Sequence, residues 1–154
     1  MKTYDRKNGF LGVHFDFHAS RDNRHIGKSF TEKTVQDVID MLHPDYIQCD
    51  TKGAYGIASY PTKLENRAPE IDKDILKIWR KVNGVGLFAH HAAMDDRDAA
   101  ERHPDWALMR ADGSLDPRLL NVPGDYIEKR LIPQLLELAG DYELDGAWMD
   151  GSGF

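Results

Sequence analysis

The sequence predicts an α/β fold built on a parallel sheet, and three observations lead there. Apolar strand-like runs alternate with segments of helical periodicity in the order β-α-β-α-β-α-β, which parallel strands with right-handed crossovers accommodate. The connections are lopsided: helix-to-strand links take about two to five residues and strand-to-helix links about 10, 17 and 30, where two to six is ordinary. Each strand run also finishes among His, Asp, Gln or Lys residues. Excess loop and polar clusters therefore share one face, the carboxyl ends of the strands. A doubly wound sheet and an α/β barrel both place their site there.

In chain order, residues 1–9 are a polar lead-in. Phe10-Leu-Gly-Val-His14-Phe-Asp16-Phe-His18 is the first strand candidate, alternating from Val13 onward. Ser29-Phe-Thr-Glu32 has the form of a capping box with its hydroxyl at Ser29. Val35, Val38, Ile39 and Leu42 follow at helical spacing, and His43-Pro-Asp45 ends that helix. Tyr46-Ile-Gln48-Cys49 is the second strand, closed by Asp50-Thr-Lys52-Gly53. A long loop then leads to a helix with Ile71, Ile75, Ile78, Trp79 and Val82 on one face, ended by Asn83-Gly84. Trp79 is a core residue on this pattern.

Val85-Gly-Leu-Phe-Ala-His90-His91 is the third strand. The connection after it holds a helical turn or two around Arg97 to Arg102 and otherwise reads as turns. The last helix runs from about Asp125 to Tyr142, and Pro133 marks a kink or a restart in it. The fourth strand, Ala147-Trp148-Met149, carries Asp150 into the glycine-rich Gly151-Ser-Gly-Phe154.

Composition narrows the function classes. The 154 residues suffice for one domain but fall short of a complete eight-stranded α/β barrel. A net charge of −6 argues against general nucleic-acid binding, which needs a basic surface. Neither a signal peptide nor a membrane-length apolar run is visible, so a cytoplasmic location is the expectation. The lone Cys49 excludes an intrachain disulfide and sits in an apolar run as a small buried hydrophobe. No GxGxxG, P-loop or GxSxG is present, and no cofactor is implied.

The strand ends carry the candidate chemistry. Asp150, two residues after Trp148 on the same side of its strand, has the placement of a nucleophile beside an aromatic platform; a turn-capping Asp is the plain alternative. His14, Asp16 and His18 share one face of an extended strand, where they suit polar substrate contacts, a metal or structural hydrogen bonds. On a continuous strand the two imidazoles stand roughly 13 Å apart, too far for one ion unless the strand ends between them. Gln48, Asp50 and Lys52 repeat the alternation, and an Asp50–Lys52 ion pair is the structural alternative there. His90 and His91 are adjacent and face opposite ways, so strand geometry lets one of them line a site. Tyr55, Tyr60 and Trp106 lie in the long loops, as sugar platforms or as loop staples.

Five phrases carry a family resemblance: His14-Phe-Asp-Phe-His18, Tyr46-Ile-Gln-Cys-Asp50-Thr-Lys-Gly53, Ser59-Tyr-Pro-Thr62, Arg102-His-Pro-Asp-Trp106 and Asp145-Gly-Ala-Trp-Met-Asp-Gly151. They resemble a bacterial group of glycoside hydrolase-like proteins that is itself similar to the α-L-fucosidases. The resemblance implies the first four β/α units of a TIM-type (β/α)8 barrel, with residues 1–154 as the N-terminal half of a longer enzyme. It further implies retaining hydrolysis of a carbohydrate, Asp150 being the nucleophile of a Trp-x-Asp motif. The general acid/base would come from a later strand or loop. His14, His90 and His91 would contact the sugar, with Asp16, His18, Gln48, Asp50, Lys52 and Trp148 as further substrate contacts and no metal. A noncatalytic sugar-binding half-barrel, and a metal-dependent hydrolase using His14, Asp16 and His18, are the competing expectations. Standing alone, a half-barrel has two open strand edges that invite self-association.

Overall fold

The structure is a computed structural model that describes residues 4–151. In chain order it contains β1 (Gly12–Phe15), α1 (Glu32–Leu42), β2 (Tyr46–Lys52), α2 (Ile75–Arg80) and β3 (Gly86–Ala92). There follow α3 (Arg97–Arg102), β4 (Ala107–Met109), β5 (Leu115–Leu120), α4 (Ile132–Asp141) and β6 (Gly146–Asp150). Four strands form one sheet in the order β1-β2-β3-β6, every neighbouring pair parallel. This is the α/β sheet of four β/α units. Among the described residues it is open, with β1 and β6 at its edges, and does not close into a barrel.

The two faces of the sheet differ as the strand alternation dictates. Ile47, Cys49, Leu87 and Ala89 point to one side and pack with Val35 of α1, Leu76 and Trp79 of α2, and Leu138 of α4. Burying these apolar side chains between sheet and helices is the main stabilising contribution. The other face carries His14, Gln48, Phe88 and Gly146 in one register row, and Asp50, His90 and Trp148 in the next. Trp148 remains 51% exposed at the carboxyl ends of the strands, whereas at the opposite end of this face the Tyr4 ring packs on Tyr46 and Phe88. No helix of the described residues is long and apolar enough to cross a membrane.

Several elements depart from the sequence pattern. β1 stops at Phe15, so Asp16 and His18 lie beyond the strand rather than on it. The chain turns there and lays the His18 ring against Gly53, where an added Cβ would come within 2.5 Å of the ring. The cap of α1 is Thr31 rather than Ser29: Thr31 Oγ1 accepts from Thr34 N at 3.1 Å, and Thr34 Oγ1 accepts from Thr31 N at 3.3 Å. A second hydroxyl thus replaces the glutamate of the usual box. Ile71 does not open α2 because it pairs with Ile26 in an isolated bridge; Asp74 caps the helix instead.

The third connection holds α3 where expected, but its remainder is an antiparallel hairpin of β4 and β5 around Asp112-Gly113. Ahead of α4, Ile127–Leu131 form a π-helical turn, and Pro133 stands in the first turn of α4. Proline has no amide hydrogen to give, so the change of helix type falls where its donor is missing.

Candidate functional site

The site gathers at the carboxyl ends of the sheet strands, on the face away from the helices. His90 is its centre. Its Nδ1 lies 3.0 Å from Asp50 Oδ1 and its Nε2 lies 3.2 Å from Asp150 Oδ2, so one buried imidazole links two carboxyl groups. Asp50 and His90 are register partners on β2 and β3, and parallel pairing is what sets them side by side. Asp150 ends β6 opposite Ala92.

Around this chain of contacts stands an aromatic wall. The His14 ring meets the His90 ring edge-on at 4.7 Å and the Trp148 ring at 5.7 Å, and Trp148 lies over His90 at 5.1 Å and 32°. His18 approaches the same imidazole at 5.9 Å, bonds Asp16 Oδ1 at 2.9 Å and stands 3.9 Å from Asp50 Oδ1. The early end of β1 is what allows this, since His14 and His18 both face His90 rather than standing a strand's length apart.

The two carboxyls are in opposite electrostatic situations. Burial, reinforced by the Asp16 charge and opposed by Lys52, pushes the Asp50 carboxyl up to about 8. Asp150 is instead held below the usual carboxylate range, first by the Gly151 amide at 2.7 Å and then by His90. Asp150 is also exposed, so its carboxylate is ionised and open to a ligand. Burial, together with the neighbouring His90 and His18, lowers the His14 imidazole. One imidazole thus joins a carboxyl shifted up by burial to a carboxylate shifted down by hydrogen bonds.

Three of the expected contacts lie elsewhere. Lys52 is fully buried on the opposite face, where its Nζ bonds Asp96 Oδ2 at 2.9 Å and the Tyr126 hydroxyl at 2.7 Å. The cause is a bulge: Asp50 pairs with His90 but Lys52 pairs with His91, leaving Thr51 as an extra residue that reverses the alternation. Its ion pair is accordingly with Asp96, and the expected Asp50–Lys52 pair does not form. His91 is fully buried too, its Nδ1 2.9 Å from Thr51 Oγ1. Gln48 keeps the correct face but sits one row below the mouth, beside Phe88 and Tyr46.

Of the loop aromatics, Tyr60 and Trp106 are buried, Tyr60 bonding Glu137 and Trp106 stacking on His103, so both staple loops. Tyr55 stays exposed. A cavity of about 350 Å³ opens between the end of β1 and α2, lined by Phe15, Phe30, Trp79, Asp16 and Asp50. His90, Trp148 and Asp150 are not part of its wall.

No family model and no curated protein matches this chain. Solved structures do match in fold. An alpha-L-fucosidase isoenzyme from Paenibacillus thiaminolyticus superposes with a TM-score of 0.81 at 23% identity, over 94% of this chain and 24% of that one. A hypothetical protein from Ruminiclostridium thermocellum gives 0.66 at 14% identity, over 94% of this chain and 77% of that one. An alpha-L-fucosidase from a Vibrio strain gives 0.58 at 19% identity, over 85% and 23%. The chain therefore has the fold of part of these fucosidases. It spans about a quarter of the length of the two fucosidases named here.

Proposed function

We propose that this chain forms the nucleophile-bearing part of a retaining glycoside hydrolase site, with α-L-fucosides as its substrate class. The observation that carries the reading is Asp150: an exposed, ionised carboxylate at the end of the fourth parallel strand, beside the exposed face of Trp148. A half-exposed indole next to a carboxylate suits a sugar ring, whose apolar face stacks on the aromatic while its hydroxyls reach His14 and His18. The sugar belongs at this mouth rather than in the cavity beside α2, which Asp150 does not line.

In this reading Asp150 attacks the anomeric carbon and forms a glycosyl ester as the bond to the leaving oxygen breaks. A second carboxyl group, about 5–5.5 Å away, protonates that oxygen and then takes a proton from the water that cleaves the ester. Asp50 does not suit that second role, because it is buried and the His90 ring stands between it and Asp150. The acid/base belongs, on this proposal, to later β/α units of a longer enzyme. His90 serves as a positioning residue that holds the Asp150 carboxylate.

The test is trapping with 2-deoxy-2-fluoro-α-L-fucosyl fluoride, using the protein as its native gene encodes it. A covalent adduct on the peptide containing Asp150 is expected. An adduct on a different carboxyl group removes Asp150 from the role. Saccharide binding with no adduct and no turnover makes a noncatalytic sugar-binding role the better reading.

A further inference from the structure

We propose that Asp16, His18, Asp50 and His90 form a binding site for a divalent transition-metal ion of the zinc class. One ligand atom from each residue lies within 4.8 Å of all the others. Asp16 Oδ1 is 2.9 Å from His18 Nε2, and Asp50 Oδ1 is 3.9 Å from that nitrogen and 3.0 Å from His90 Nδ1. A tetrahedral zinc with bonds of about 2.1 Å spaces its ligand atoms roughly 3.4 Å apart. The separations here straddle that value, so small side-chain adjustments close the shell. Two imidazole nitrogens with two carboxylate oxygens suit zinc and its neighbours, whereas calcium and magnesium prefer oxygen alone.

Two observations beyond proximity point to an ion. The Asp50 side chain is fully buried, yet its Oδ2 has no hydrogen-bond partner among the described residues. Buried carboxylate oxygens are ordinarily satisfied, and a cation held by both Asp50 oxygens would give this one a partner. Secondly, His90 directs its other nitrogen, Nε2, at Asp150 Oδ2. Metal-bound imidazoles characteristically donate their second N–H to a carboxylate, which fixes the tautomer and the ring plane. Hydrogen bonding alone accounts for the Asp50–His90 contact but leaves Asp50 Oδ2 without a partner. The trio of His25, Glu70 and Asp72 also clusters, but no buried orphaned atom lies among its three side chains.

The site goes beyond the hydrolase reading and does not depend on it; an ion there takes the His18 Nε2 and leaves His14 as the imidazole open to the sugar. His14, expected as a ligand in the metal-dependent alternative, is replaced by Asp50 and His90. With an ion on Nδ1, His90 carries its proton on Nε2, and the donor to Asp150 becomes permanent.

The test uses the protein as its native gene encodes it, stripped with a chelator and then titrated with Zn²⁺ and, separately, Co²⁺. One tightly bound equivalent is expected, with the visible absorption of four-coordinate Co²⁺. Asp16→Asn and His18→Gln should each weaken binding at least tenfold, while His25→Ala retains that equivalent. Both ligand substitutions fall on exposed residues, and an unchanged melting curve verifies that the fold survives them. Equal binding by wild type and both variants overturns the site, as does wild-type protein that takes up no stoichiometric metal. Metal uptake is read without substrate, so a failed hydrolysis assay leaves this result standing.

Discussion

Two clusters of charge lie side by side in this molecule, and they are built to opposite rules. At the mouth, Asp150 is exposed, Asp50 is buried with one oxygen unpartnered, and the histidines between them contact one another. Behind the sheet, Lys52 bonds Asp96, and Asp98 receives Arg21 at 2.6 Å, Arg102 at 2.9 Å and Arg130 at 3.1 Å. Every charge there meets an opposite one. Asp50 and Lys52 are two residues apart, so composition does not separate the clusters. The number of contacts still open at each group does. Open contacts at a concave strand end mark a place where a ligand completes the structure, whereas a closed network marks a clamp on loops.

The sharpest break between the two comes from Asp150→Gly. Turnover of the complete enzyme should fall by at least about 10³-fold while the melting temperature holds, since the side chain is exposed. External azide should restore turnover to this variant, and normal hydrolysis without azide would contradict the assignment. Next in size is Lys52→Met, which leaves Asp96 buried with only part of its pairing. A loss of about 3 kcal/mol in urea unfolding is expected, against less than about 0.5 kcal/mol for His18→Gln. Equal losses from the two would erase the distinction drawn here.

A smaller effect concerns acid. Burial alone would raise the Asp98 carboxyl, but hydrogen bonds from Arg21 and Arg102 and the Arg130 charge hold it below its usual value. A carboxyl depressed in the folded state binds fewer protons than in the unfolded chain. Its contribution is therefore full above about pH 4 and lost as pH falls through the folded value. Asp98→Asn should flatten that acid limb of the stability curve, which chemical denaturation at several pH values would reveal. Smallest of all, Trp148→Ala should raise KM about tenfold with kcat nearly kept, as befits a uniform binding contact. A fall confined to kcat would give Trp148 a different part.

Much of this was legible in the residues. The order of the sheet strands and their helices, the core role of Trp79 and the place of Asp150 at a strand's carboxyl end all follow from period and loop length. Alternation said that only one of His90 and His91 could line the mouth, but not which; pairing with Asp50 makes it His90. The cluster at the mouth was only half legible: His14, Asp16 and His18 stood out, but their meeting with Asp50 depends on where β1 ends. Past that ending the His18 ring seats against Gly53, a contact between positions 35 residues apart in sequence. Lys52 was misplaced because period-2 counting assumes an unbroken ladder, and nothing near Thr51 announces a bulge. The β4–β5 hairpin did have a signal in Asp112-Gly113, a favoured hairpin pair.

The bulge at Thr51 also bears on how this chain is aligned with others. Both charges flanking it are placed by pairing with β3, Asp50 with His90 and Lys52 with His91. A relative with a regular ladder would bring the same outward cation one position earlier, as adjacent Asp-Lys. A gapless alignment across such a pair sets a clamp lysine against a residue of the wrong face, and the loop that begins at Gly53 inherits the error. Superposition on the paired histidines sets the gap at Thr51, and the two strand ends can then be compared residue by residue.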